Sequence, residues 1–166
     1  ERTVMFQESA LFPWLTVQRN VEFPLEMAGV PAAERAVRVE RYLKMVHLWR
    51  SRDAHPHELS GGMRQRAAMA RALVGEPSIL LMDEPFAALD AQTRDVLHGE
   101  LERIWLETRK TVVFVTHNVR EAARLGDRVV MMGTRPGRIT RDLAVKLSRP
   151  REANDQDVTT LAAVIE

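Results

Sequence analysis

The chain has 166 residues, 45% hydrophobic and 28% charged, the balance of a globular domain with a real core rather than of a disordered segment. Its 24 Lys and Arg against 23 Asp and Glu leave a net charge of +1, which offers no basic footprint for nucleic acid. Cysteine is absent, so disulfides and thiolate metal sites are excluded, and no apolar run reaches the ~18 residues of a membrane-spanning helix.

Glu1 to Gln7 reads as a chain entering in mid-strand, with no cap ahead of it, and is expected to be the edge of a fragment. From about Thr16 to Leu73 no convincing strand occurs. Pro31 suits the first turn of a helix, and Ala36, Val39, Leu43 and Val46 mark one face of a helix over Ala32–Trp49. Ser60 then serves as N-cap of an Ala-rich helix, Gly62–Leu73. A helical subdomain over 16–75 is therefore expected ahead of a sheet. Three short apolar runs, Ser78–Met82, Thr111–Thr116 and Arg128–Met132, read as buried strands of a parallel sheet. Between the first two lies Ala91–Arg109, with Leu97, Leu101, Ile104 and Trp105 on one helical stripe. Strand–helix–strand order implies right-handed crossovers and a layered α/β core over 76–135. A tail over 136–166 opens with the turn pair Pro136-Gly137, carries one short strand near Ile139–Val145, and ends its basic run at Arg149-Pro150-Arg151.

Three stretches carry chemistry. In Ile79-Leu80-Leu81-Met82-Asp83-Glu84-Pro85 the apolar residues bring two adjacent acids to the C-terminal lip of a strand, where α/β folds bind ligands. Neighbouring carboxylates repel unless a hard cation offsets them, so one suits Mg²⁺ and the other a water to be oriented or deprotonated. Two solvated acids capping the next helix are the plainer reading of the same pair. In Leu59-Ser60-Gly61-Gly62-Met63-Arg64-Gln65-Arg66 two glycines after the cap expose N–H groups at a helix start, a surface that faces phosphate well and is also ordinary capping. His117 follows Val113-Phe114-Val115-Thr116 and shares the lip of Asp83 and Glu84 if the sheet is parallel. A lone histidine there is otherwise structural. His55 and His57 flank Pro56 without further matching ligands, the pattern of a loop rather than a metal site.

In this order the motifs resemble those of the ATP-binding cassette (ABC) family across nearly the whole chain. Phe6-Gln7-Glu8 is similar to its Q-loop, Leu59–Gln65 to its signature, Ile79–Glu84 to its Walker B strand, Phe86-Ala87-Ala88-Leu89-Asp90 to its D-loop, and His117 to its switch histidine. The resemblance implies a single cassette domain over 1–166 of the P-loop NTPase type: a three-layer α/β core with a mainly parallel sheet and an inserted helical subdomain. It implies ATP and Mg²⁺ as cofactors and two cassettes sandwiching two nucleotides. Asp83 then holds the metal with Gln7, Glu84 is the general base and His117 fastens the γ-phosphate. Gln7 also senses the attacking water. Ser60, Gly61, Gly62 and Gln65 serve the nucleotide of the second subunit, and Asp90 bridges the two.

The family's phosphate loop, G-x-x-x-x-G-K-[S/T], is not in the sequence: Lys44, Lys110 and Lys146 follow Leu43, Arg109 and Val145. The family carries that loop, and the first strands, upstream of the Q-loop, so truncation is expected, and the chain alone is expected to be inactive. Asn118 stands where the family commonly has Asp. Pro13-Trp14-Leu15-Thr16-Val17, Arg135-Pro136-Gly137-Arg138-Ile139 and Arg149-Pro150-Arg151 resemble the nitrate, sulfonate and taurine importers. That implies permease partners docking near Trp14, an indirect link to an extracytoplasmic solute-binding protein, and a peripheral place on the cytoplasmic face of a bacterial inner membrane. A cassette ATPase of DNA repair is the less fitting alternative, since only about fifty residues, without heptads or cysteines, separate Gln7 from Leu59. A non-catalytic remnant is the other, against which Glu84 and His117 stand.

Overall fold

A computed structural model of the chain describes residues 2–87, 89–152 and 154–165. Glu1, and Ala88 of the expected D-loop, lie outside them. The chain divides into two compact units, Glu1–Val115 and Thr116–Glu166.

The first unit begins with β1 (Arg2–Met5), continues through three helices, and returns to β2 (Ile79–Asp83), α4 (Ala91–Thr108) and β3 (Thr111–Val115). β2 is central, with β1 and β3 parallel on either side, so the strand–helix–strand reading of this region holds. Side chains alternate across the sheet. Met5, Leu80 and Met82 are buried on one face, where α3 packs along β1 and Phe86 bridges Phe114 of β3 to His98 of α4. Val4, Ile79, Val113 and Val115 are exposed on the other. The runs expected to be buried are thus buried on alternate residues only.

The helices between β1 and β2 are α1 (Val17–Met27), α2 (Ala32–Met45) and α3 (Gly61–Leu73). Thr16 caps α1, and Val17, Val21 and Leu25 form its buried stripe despite Pro24 inside the helix, which removes one ladder hydrogen bond. α2 stops at Met45, short of the expected Trp49, because His47 takes a left-handed backbone, φ +55°, that ends the ladder.

In the second unit α5 (Val119–Leu125) leads to β4 (Arg128–Gly133), β5 (Arg138–Ala144) and α6 (Gln156–Ile165). Here the expectation for Arg128–Met132 is corrected: β4 pairs antiparallel with β5 in a two-stranded sheet instead of extending a parallel one. The reason is local. Four turn residues, Thr134 to Gly137, return the chain at once, a connection too short for parallel pairing, and Arg128 meets Asp142 across the ladder at 2.6 Å. Ala123, Val129, Val158, Ala162 and Ile165 form this unit's core.

Candidate functional site

Parallel pairing brings three strand ends to one edge of the first unit. Met5 lies opposite Met82, and Asp83 opposite Val115, so Gln7, Asp83 and Glu84 all follow directly from that edge. Asp83 and Gln7 are exposed, and their oxygens are the hard donors that suit Mg²⁺. Glu84 is half-buried and has φ +41°, a left-handed conformation costly for a residue with a Cβ. That turn ends β2, breaks the alternation and reorients the Glu84 side chain at the lip. The bonds that hold the strained corner include the Glu84 N–H donating to the Val115 carbonyl at 2.9 Å, the Ala87 N–H donating to the Glu84 carbonyl at 3.2 Å and the Gln65 amide donating to the Pro85 carbonyl.

α3 starts at this corner. Ser60 caps it by accepting the Met63 N–H at 3.2 Å, and the first-turn N–H groups lack intrahelical acceptors by helix geometry. Ser60 and Gly61 are exposed and Gly62 is buried. A Cβ on Gly62 would lie 2.4 Å from Thr93 Cγ2, so glycine here is set by the close approach of α4. Gln65 does not join the exposed surface of Ser60 and Gly61. It is buried against Pro85 and ties the helix to the acidic corner. Asp90 is exposed and caps α4, accepting the Thr93 N–H at 3.0 Å, and that bond holds its carboxyl below the usual range. One chain of contacts thus links Ser60, Gly62, Thr93 and Asp90 with Gln65 and Glu84.

His117 belongs to the second unit and is exposed. It sits in a short turn between β3 and α5. Thr116 Oγ1 accepts the Asn118 N–H at 3.0 Å and donates to Glu121 at 2.6 Å, while Asn118 caps α5 through the Arg120 and Glu121 N–H groups. Asn118, where Asp is commoner in the resembled family, therefore makes the same type of cap without a charge.

Beyond Gln7 lies a groove of about 460 Å³ whose lining includes Phe6, Ala10, Phe12, Phe23, Val30 and Arg71. Trp14 beside it is 71% exposed and stacks at 5.5 Å on Phe12, which in turn meets Phe23 at 4.9 Å. Sequence reasoning missed the residues that shape this wall. Asn20 is fully buried and bonds the backbone of Phe12, Leu15 and Thr16, and Arg71 donates to the carbonyls of Ser9 and Ala10. An Asn on the same stripe as Val17 and Val21 was the available signal for the first; nothing in sequence marks Arg71. His55 and His57 stack at 5.8 Å, and the His55 N–H donates to Glu58, whose carboxyl it holds below the usual range.

Comparison with known proteins bears out the family resemblance. The profile of the ABC transporter family matches residues 1–87. An ABC transporter ATP-binding protein of Methanocaldococcus jannaschii, MJ0412, itself uncharacterized, is 53% identical over 92% of this chain and 57% of its own length. The nitrate import ATP-binding protein NrtD of Synechocystis is 45% identical over 92% and 57% of the two chains, and the taurine import ATP-binding protein TauB of Pelagibacter ubique 46% over 86% and 54%. The chain thus spans a little over half the length of these relatives. Among solved structures, the dimeric post-hydrolysis state of the ATP-binding cassette MJ0796 bound to ADP and Pi superposes with a TM-score of 0.73 and 36% identity, over 89% of this chain and 64% of that one.

Proposed function

The chain belongs to the ABC transporter family, and on that premise we propose that it carries the signature, Walker B and switch elements of an ATPase subunit that drives import of a small anion. Nitrate, sulfonate or taurine is the substrate class this reading selects, supported by the names of the relatives. The observation that carries the proposal is the acidic corner: Asp83 and Glu84 at the end of the central strand, Gln7 on the neighbouring strand end, and the signature helix bonded to the same turn through Gln65. The cassette domain is taken to run over 1–166, with the helical subdomain at 16–75, the catalytic core at 76–135 and the tail at 136–166.

In this reading Asp83 and Gln7 would hold Mg²⁺, which would supply positive charge against the negative charge of the phosphates. Glu84 accepts the proton of the attacking water. Ser60, Gly61 and Gly62 offer N–H and hydroxyl donors to the γ-phosphate of a nucleotide held by a second ATPase subunit. Gln65 is assigned to fixing that helix against the catalytic turn, and so acts on the nucleotide through Ser60 and Gly61. Asp90 lies at the subunit boundary and His117 fastens the γ-phosphate. Such a site works by positioning and charge stabilisation, which is most of what phosphoryl transfer requires. The groove beside Trp14 receives a permease subunit, which places the ATPase at the cytoplasmic membrane face and links it indirectly to a solute-binding protein.

The test joins this chain to the part of Synechocystis NrtD that it does not span. The chimera is expected to hydrolyse Mg-ATP, and Glu84→Gln to lower kcat by about 10²-fold or more while ATP binding persists. Turnover that survives Glu84→Gln rejects the base assignment. By itself the chain is expected to show no ATPase above background, since none of its lysines stands in a phosphate loop. Trp14→Ala is expected to weaken capture by the permease more than ATP binding; equal losses make Trp14 a packing residue.

A further inference from the structure

We propose that Arg151 is a positioning residue for His117, acting through α5 from the far end of that helix. The proposal rests on the reading of His117 as a phosphate contact, but its test does not need turnover. α5 has only seven residues, far below the ~12–15 at which an isolated helix becomes marginal in water, so its persistence depends on its ends and its packing. Its N-terminal end is the turn that carries His117, laced by Thr116, Asn118 and Glu121.

The C-terminal end is held by arginines from the tail. Arg151 has a side chain 2% exposed, and its Nη1 donates to the carbonyls of Ala123 at 3.3 Å, Arg124 at 3.1 Å and Gly126 at 2.7 Å. Its Nη2 and Nε reach the carbonyls of Leu147 at 2.8 Å and Ser148 at 3.3 Å, so one guanidinium stitches the tail to the helix. Arg124 answers by donating to the Arg151 carbonyl at 3.0 Å, and Arg149 donates to Leu125 and pairs with Asp127. A buried guanidinium among last-turn carbonyls satisfies acceptors that the helix leaves open and sits at the negative end of its dipole.

Two turns of helix leave no independent middle. Fraying from Leu125 reaches Glu121 within one turn, and Glu121 is the partner of Thr116, the residue before His117. Loss of the Arg151 fork therefore loosens the histidine turn, although Arg151 lies 34 positions from His117 in the sequence. Lysine keeps the charge but lacks the planar five-donor fork, which makes Arg151→Lys the discriminating variant.

The experiment uses the chain as it stands and reads its five histidines by NMR. In Arg151→Lys, amide exchange from Glu121 to Leu125 is expected to rise roughly tenfold or more. The His117 ring signals are expected to move, while those of His47, His55, His57 and His98 stay fixed. Thr116→Val should move His117 in the same direction, and the double variant should move it by less than the sum, because both act through α5. Faster exchange in α5 with an unmoved His117, or strictly additive effects, overturns the proposal and leaves Arg151 a tail anchor only. Should Arg151→Lys unfold the second unit, Arg149→Lys, which perturbs the Leu125 and Asp127 contacts, takes its place: a moved His117 supports the proposal, and an unmoved one overturns it.

Discussion

The two faces of the three-stranded sheet are built from the same apolar runs and behave differently. On one face Leu80 and Met82 are 1% exposed, whereas on the other Val113 and Val115 are 49% and 51% exposed. Strand parity alone separates them, since neighbouring residues point to opposite sides. Phe86, Gln65, Gly62 and Thr93, which brace the acidic corner, connect to the covered side. The lesson is that the lip carrying Asp83 and Glu84 is stiffened from one direction, by helices, while the valine face contributes strand propensity and little packing. Substitutions that separate the two faces by their cost test this directly.

The largest difference is expected at adjacent residues of one strand. Leu80→Ala should lower stability by about 2–5 kcal/mol, because it empties a site with no solvent access. A urea unfolding midpoint measures it. If Ile79→Ala costs as much, the distinction between the faces fails. Next in size is the contact behind the corner. Gly62→Ala drives a Cβ into Thr93 Cγ2, and the β-branched threonine has little rotamer freedom with which to yield, so about 1–3 kcal/mol is expected. Thr93→Ala removes the offending methyl, and the double variant should recover most of the loss. A double variant as weak as Gly62→Ala alone would mean that the glycine is required for another reason.

Much of this was legible in sequence. The bounds of β2, β3, β4 and α4 fall within a residue or two of the apolar runs, since uninterrupted Val and Leu and a clear helical stripe leave few alternatives. Glu84 was legible as an acid at a strand end but its left-handed backbone was not, because no glycine announces the turn. α1 was hidden by Pro24, which normally argues against a helix interior, and its stripe of Val17, Val21 and Leu25 prevails over that penalty. α6 was overlooked although Val158, Leu161, Ala162 and Ile165 repeat at helical spacing. The partner of β4 could not be read from its own apolar content, since the same residues suit either pairing; the short turn to β5 was the deciding signal. Gln65 sits inside a motif, and only packing reveals that its amide points inward.

A smaller effect is expected on the open face. Val113→Thr and Val115→Thr should change stability by no more than about 0.5 kcal/mol, as exposed substitutions generally do. They should also raise the concentration at which the chain stays monomeric, because an apolar edge strand is a template for association. We expect the unsubstituted chain to be marginally stable and prone to associate. Light scattering against concentration measures the change, and an association threshold unaffected by both threonines points to a different surface.

The smallest effect is electrostatic and belongs to the Asp90 cap of α4. The Thr93 N–H donates to the Asp90 carboxylate and lowers its folded pKa below the ordinary value of 3.8. The sign follows from linkage: a depressed carboxyl contributes stability that is fully present above its unfolded pKa and is lost as pH falls through the folded value. The side chain is fully exposed, so solvent and salt screen the contribution and it stays small. Asp90→Asn isolates it, because asparagine caps a helix about as well but does not titrate. Between about pH 5 and 7 the native chain should unfold at a slightly higher urea concentration than Asp90→Asn, the charged acceptor also favouring the positive end of α4. Below about pH 3.8 that margin should shrink and then close, while the other carboxylates, common to both proteins, cancel in the comparison. Added salt at neutral pH should shrink the same margin. A difference that stays constant down to about pH 2, or that grows with salt, would mean that Asp90 acts on α4 through something other than its charged cap.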